Sequence, residues 1–506
     1  MRLRFWGTRG SLPKPGPTTM RYGGNTPCVE VRTADEQVVV LDCGTGAQAL
    51  GEALLTSGGG PVRGHLLLTH MHWDHIQGLP FFAPLFAPGN EWDIYGPGSP
   101  GQSLQVLLAG QMTYPYFPIA IQQFGATIRY HTLDERAFQI GRLRVIPRYL
   151  NHPALTLGYR LETGSVTVVY ATDHEPHAPY QSEVADRARE GLRPTPTQSR
   201  QGLGRADTEL AARNPQSGPT DDPISTPTQS RQGTPIWLAH REEQGHIAFL
   251  AGADLVIHDA QYSMAEYQQR LGWGHSPVEY GVDVALAAQA KRLALFHHEP
   301  WHDDATLERL EEACRQRVTA CGGTLEVFAA AEGQVLNFPE RQRRTPPRGN
   351  ARALPVQPAV STAATAATPA HTVLIVDDEP QVVRLLTDAL ESEGFRVLTA
   401  PHGEAALRLA RIECPALILV HRHLPGNDGL EVCRAIRADA DPRLREVPVV
   451  LLASQTEGEH IAAGFAAGVT DYLPMPCKPT YVRSRVCGWL LRMHQETTAG
   501  AGDQEH

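Results

Sequence analysis

The sequence predicts an α/β protein made of two bodies, and three observations predict it. Short apolar runs rich in β-branched residues alternate with helical stretches through residues 1–340, and again through 372–495. Between them, 341–371 is dominated by Pro, Ala and Thr and carries almost no large apolar residue. The length of 506 residues also exceeds what a single core usually serves.

In the N-terminal body the strand candidates are EQVVVLDCG, GHLLLTH, VTVVYATD, ADLVIHDA and RLALFHH, and VEYGVDVALAAQAK reads as a helix. The texture breaks at 176–236, rich in Pro, Thr, Gln, Ser and Arg, where TPTQSRQG occurs at 195–202 and again at 226–233. Two identical octapeptides in a polar stretch point to a local duplication tolerated in a disordered insert. The 341–371 segment cannot bury a core, so a flexible, partly extended linker is expected. The C-terminal body runs TVLIVDD, a helix opening at Pro380, FRVLTA, EAALRLARI, ALILV, EVPVVLLAS, EHIAAGFAAG, DYLPM and a last helix through TYVRSRVCGWLLRMH. Five βα units make a doubly wound parallel sheet covered on both faces. Residues 496–506 are expected as a disordered tail.

Composition narrows the classes. A net charge of −10 argues against wholesale, charge-driven binding to nucleic acid or membranes. The opening MRLRFWGTRGS lacks the apolar core of a signal peptide, and no run reaches the roughly 18 apolar residues of a spanning helix. Eight cysteines are scattered without a C-x-x-C, which reads as reduced thiols in a cytoplasmic protein.

With 22 histidines in the chain, only their spacing is informative. His70, His72, Asp74 and His75 form H-x-H-x-D-H after the run HLLL, at a strand end before a helix. Sidedness alternates along an extended segment, so His70 and His72 point the same way and can share one cation. Asp74 and His75, at the helix start, can face a second. Imidazole and carboxylate suit Zn²⁺, and Mn²⁺ or Fe²⁺ as well. A two-metal site needs further ligands at other strand ends. His152 in YLNHPALTLGYR, Asp173 in VVYATDHE and His297 in LALFHHEP are the candidates. His297 is preferred to His298 because it directly follows LALF. Singly, His152 also has a reading as a turn cap before Pro153, and Asp173 as a helix cap.

Residues 1–340 resemble the metallo-β-lactamase superfamily, with H-x-H-x-D-H as the most specific mark. The resemblance implies an αββα sandwich with a dinuclear site along one edge. It assigns His70, His72 and His152 to one metal, Asp74, His75 and His297 to the other, and Asp173 as the bridge. FWGTRGSLP…RYGGNTPCVEV and LDCGTG resemble the branch of tRNA 3′-end endonucleases and cyclic-nucleotide phosphodiesterase-like hydrolases. GHSPVEYGVDVALAA is similar to the His-Ser-Thr segment of those endonucleases, with Pro277 in place of Thr. His275 matches the histidine that acts there on the scissile phosphate, and Asp259 is placed to orient it, with a core or capping role as the alternative.

The expected chemistry is hydrolysis by a hydroxide between two divalent metals. Asp74 would orient it and His275 would protonate the leaving oxygen or bind the phosphate. A small phosphodiester or cyclic nucleotide is favoured over RNA. The chain is acidic, and no basic arm stands between His152 and Asp173. A lactonase or thioesterase, or a non-catalytic adaptor with a ligand-sensing metal site, are the alternatives.

The second pair, His421 and His423 in LILVHRHLPGNDG, has another meaning. Residues 372–495 resemble a response-regulator receiver domain, with Asp377 and Asp378 as its acidic pair. The resemblance puts the phosphate-accepting aspartate at His421, the Thr or Ser hydroxyl at Ala453 and the lysine at Met475. Ser454 and Lys478 are displaced from those places, and Asp428 is a poor substitute acceptor. Imidazole cannot form an acyl phosphate. Arg422 between the histidines disfavours a metal there. The domain is therefore expected to act without phosphorylation, binding a protein partner or self-associating around its last helices.

Overall fold

A computed structural model describes residues 1–56, 60–98, 102–114, 116–177, 180, 241–339, 371–454, 464, 467–475 and scattered positions over 477–490. Most of the repeat-containing insert, the linker up to residue 370, most of EHIAAGFAAG and the tail lie outside the described residues.

Two seven-stranded sheets organise the N-terminal part. The first holds β1 (Arg2–Gly7), β2 (Cys28–Arg32), β3 (Val38–Leu41), β4 (Arg63–Leu67), β5 (Glu91–Pro97) and β6 (Thr127–Leu133). The second holds β7 (Phe138–Ile140), β8 (Leu143–Tyr149), β9 (Leu157–Thr163), β10 (Val166–Ala171), β11 (Leu255–Asp259), β12 (Arg292–Phe296) and β13 (Glu326–Ala329). A last strand, β14 (Val335–Asn337), returns to pair with β1. Both sheets follow one plan. Antiparallel pairs (β1 to β3; β7 to β10) lead into parallel ones (β3 to β6; β10 to β13).

The strand VVVL shows why the sandwich forms. All four of its residues are buried. Val39 and Leu41 join Phe5, Tyr159, Tyr170 and Phe296 in the core between the sheets. Val38 and Val40 point the other way and pack with Leu50 and Leu54 of the helix Ala47–Thr56. On the far side of the second sheet, Val169, Val256 and Leu293 pack against the helices Val278–Ala287 and Asp304–Ala320. A strand with apolar side chains on both faces is satisfied only when both are covered, which gives the four layers αββα.

The C-terminal part is a five-stranded parallel sheet of β15 (Thr372–Val376), β16 (Arg396–Ala400), β17 (Leu417–His421), β20 (Val449–Ser454) and β21 (Asp471–Met475), with a small hairpin of β18 (His423–Leu424) and β19 (Asn427–Asp428) after β17. The order β16-β15-β17-β20-β21 is that of a doubly wound fold. Leu374, Val376, Ile418 and Val420 fill one face and Val373, Ile375, Leu417 and Leu419 the other. Among the described residues no helix is long and apolar enough to cross a membrane.

Candidate metal centre

The H-x-H-x-D-H segment leaves the end of β4 and enters the four-residue helix Trp73–Ile76. Asp173 follows β10, His297 follows β12, and His152 lies between β8 and β9. All seven residues come together in two groups that share Asp173. One is His70, His72, His152 and Asp173; the other is Asp74, His75, His297 and Asp173. The Asp173 carboxylate is split between them. Its Oδ2 faces His70 Nε2 at 3.6 Å and His152 Nε2 at 3.8 Å. Its Oδ1 faces His75 Nε2 at 3.1 Å and His297 Nε2 at 3.3 Å. His152 Nε2 lies 3.1 Å from His72 Nδ1, and Asp74 Oδ2 lies 3.1 Å from His297 Nε2.

The outer nitrogens of these rings meet partners of another kind. His75 Nδ1 is 2.8 Å from Asp42 Oδ2, His297 Nδ1 is 2.9 Å from Gln261 Oε1, and His152 Nδ1 is 2.8 Å from the Gly274 carbonyl. An N–H on each outer nitrogen leaves a lone pair on each inner one, the pattern that outer partners of metal-bound imidazoles impose. His70 Nε2, in a side chain with no exposure, makes no hydrogen bond. The donor set therefore fits divalent cations: nitrogen and carboxylate oxygen, inward-facing, with one orphaned buried atom.

The backbone is bent to achieve this. Asp42 (φ 58°), Asp173 (φ 54°) and His297 (φ 61°) all take left-handed conformations that β-carbon sterics disfavour. Close approach also demands glycine at two places. A Cβ on Gly10 would sit 2.4 Å from His297 Nδ1, and one on Gly274 (φ +89°) would sit 2.3 Å from His152 Nδ1.

Asp259 and His275 stand beside this cluster. His275 Nδ1 lies 2.8 Å from Asp259 Oδ2, whose carboxylate also accepts from the backbone N–H groups of Ser276, Gln261 and Asp173. Burial works to lower the His275 pKa, but the Asp259 carboxylate outweighs it and raises the group to about 9. Burial drives His70 and His152 well below the usual imidazole range, so both are neutral donors. A pocket of about 440 Å³ opens here, lined by Ser11, Met71, His72, Trp73, Asp74, Asp173 and His275.

Sequence reasoning missed the supporting residues. Asp42 also accepts from Thr69 and from the Tyr170 hydroxyl. Glu175 accepts from the N–H groups of Gly272 and Gly274. Burial raises its pKa to about 7 against those bonds. The signal for Asp42 was present in LDCGTG, an acid at a strand end before a glycine turn. A third group, His174, His246 and His258, is fully buried beyond Asp173. His174 also pairs with Tyr280, which donates to Glu243.

In the five-stranded sheet, His421 ends β17. Its Nδ1 lies 3.9 Å from Asp377 Oδ2 and makes no hydrogen bond. Asp377, Asp378 and His421 form one small group there. His421 and His423 do not converge: their ring centres are 6.4 Å apart, at 86°.

Residues 37–196 match the beta-lactamase superfamily domain, and residues 373–486 match the response regulator receiver domain. The chain joins a metallo-beta-lactamase-like domain to a receiver domain. The receiver is similar to the DNA-binding response regulator MtrA of Mycolicibacterium smegmatis, 36% identical over 124 residues, or 24% of this chain and 52% of that protein. It is also similar to the alkaline phosphatase synthesis transcriptional regulatory protein PhoP of Bacillus subtilis, 38% identical over 120 residues, or 24% of this chain and 48% of that protein. The chain thus spans about half the length of these curated relatives. Among solved structures, the metallo-beta-lactamase fold protein YhfI of Bacillus subtilis aligns at 16% identity over 66% of this chain and 98% of its own, with a TM-score of 0.40.

Proposed function

We propose that the metallo-beta-lactamase-like domain, taken as residues 1–340, is a dinuclear metal-dependent phosphodiesterase acting on small phosphodiesters, cyclic nucleotides among them. The observation that carries the reading is the split of the Asp173 carboxylate between two imidazole groups, with three ring nitrogens turned outward to acceptors. His70, His72 and His152 would hold one ion, Asp74, His75 and His297 the other, and Asp173 both. Two divalent ions held there, Zn²⁺ or else Mn²⁺ or Fe²⁺, would supply a nucleophilic hydroxide near neutral pH and neutralise charge on the phosphoryl oxygens.

The residues around the ions do the rest. Asp74 Oδ2 accepts from the Ser11 N–H at 2.7 Å, which fixes its carboxylate at the pocket wall, where it orients the attacking oxygen. His275, held by the Asp259 carboxylate that favours its protonated form, faces the pocket as the donor to the leaving oxygen. The pocket volume of about 440 Å³ is of a size that takes a small ligand. Trp73 lines it and is 76% exposed, offering a ring face to a nucleobase.

The test combines metal content per chain with hydrolysis of bis-p-nitrophenyl phosphate, followed by a parallel screen of cyclic nucleotides, a tRNA precursor and acyl-homoserine lactones. Two metals per chain with turnover of the phosphodiesters is the expected result. Turnover of the lactones alone would replace this reading with a lactonase, and a metal-loaded chain that turns over nothing would make it an adaptor.

A further inference from the structure

The receiver touches the hydrolase where the metal-centre loops are tied together. The junction begins at Asn151, next to His152. The Asn151 side-chain amide donates to the carbonyls of Glu175 (2.9 Å) and Pro176 (3.0 Å), and the Asn151 carbonyl accepts from the Glu175 N–H. Glu175, two residues after Asp173, binds the N–H groups of Gly272 (2.7 Å) and Gly274 (2.8 Å). The Gly274 carbonyl meets His152 Nδ1, and His275 follows it. Asn151 and Glu175 therefore join the three loops that carry His152, Asp173 and His275.

The amide's remaining group, Asn151 Oδ1, accepts from Arg485 Nη1 of the receiver at 2.7 Å. Arg485 is only 5% exposed and its other arm binds Asp471, which also accepts from Trp489 Nε1. Beside it, the Tyr472 hydroxyl donates to the His177 carbonyl at 2.9 Å. A guanidinium forks between two acceptors in fixed directions, so it fixes the amide it touches. A flipped amide would set its NH₂ against a cation.

We propose that Arg485 is a positioning residue for the metal centre, acting through Asn151 and Glu175, and that the receiver's partner is therefore the hydrolase of its own chain. The inference rests on the phosphodiesterase reading for its effect on turnover, but not for the docking itself. Tyr472 of β21 and Arg485 supply the docking contacts. The domain that lacks a phosphate acceptor holds the catalytic loops in register by constant contact.

The test uses the full chain with Arg485→Lys, which keeps the charge beside Asp471 and loses the fork, and Tyr472→Phe, which removes one hydroxyl. Hydrogen exchange is followed in peptides covering 149–153 and 174–177, with 372–376 and 417–421 as controls for the receiver's own fold. Arg485→Lys should speed exchange at 149–153 by about tenfold, the size expected for losing a hydrogen bond to a charged group. It should lower kcat by about tenfold, at the lower end for partners of metal ligands, with KM nearly unchanged. Tyr472→Phe should speed exchange at 174–177 and leave the controls alone. Unchanged exchange at 149–153 with intact controls overturns the proposal. If Arg485→Lys unfolds the receiver, unchanged exchange at 174–177 in Tyr472→Phe overturns it instead. A wild-type chain that hydrolyses nothing defeats the phosphodiesterase reading and leaves the exchange result to decide the docking.

Discussion

His75 and Asp42 face each other across 2.8 Å with no exposure to solvent, Nδ1 against Oδ2. Asp42 belongs to neither group of inward-facing donors, yet it sets which nitrogen of His75 carries the proton. Asp42→Asn keeps the volume and removes the anion. Metal affinity is expected to fall by about 10- to 100-fold, measured by competition with a chromogenic chelator. Equal affinity in the variant would deny Asp42 this part.

His72 and His275 should separate binding from chemistry. His72→Ala is expected to lose metal and activity together. His275→Ala should keep its metal and lose turnover by about 10²- to 10⁴-fold, the range for a general acid. Unchanged turnover in His275→Ala would remove its role.

Metal removal should register in stability. Asp74, Asp173 and the four imidazoles of His70, His75, His152 and His297 lie buried with their polar atoms turned on one another. Ions that bind only the folded chain stabilise it by about 2.7 kcal/mol per site when the free ion is at 100 times Kd. Dialysis against a chelator should lower Tm, and adding back Zn²⁺ or Mn²⁺ should restore it. A Tm indifferent to chelation would argue against bound ions at this cluster.

Trp73 is expected to read the substrate rather than act on it. Trp73→Ala should raise KM for a cyclic nucleotide by about tenfold, in line with the loss of one base-stacking contact. An aliphatic phosphodiester should be hydrolysed equally well by both proteins. Equal losses on both substrates would point to a shifted His72 instead.

Acetyl phosphate with Mg²⁺ should leave the receiver unmodified, as read by intact mass. A phosphorylated species at 421–428 would contradict the assignment of His421 to the acceptor's place.

Some of this architecture was readable before folding, and the reason is locality. H-x-H-x-D-H packs four donors into six positions, and VVVL or LILV carries its strand character within a few residues. Asn151, Glu175 and Gln261 were not readable, and LDCGTG marked Asp42 as an acid at a strand end without showing what it holds. Each is an ordinary polar residue whose partner lies far along the chain: Asp42 meets His75, and Gln261 meets His297. The grouping of His174, His246 and His258 was hidden for the same reason, since three isolated histidines among many carry no spacing signal. The left-handed backbone at Asp173 and His297 also has no sequence mark, because glycine would be the expected choice there.

The imidazole at the end of β17 also bears on time. An acyl phosphate decays, and its lifetime serves an ordinary receiver as a clock that a kinase winds and hydrolysis runs down. On the reading that puts His421 in the acceptor's place, this receiver would have no clock. Its message would then have no duration of its own, and variation in output would come from how many copies the cell holds or from whatever competes for the docked face.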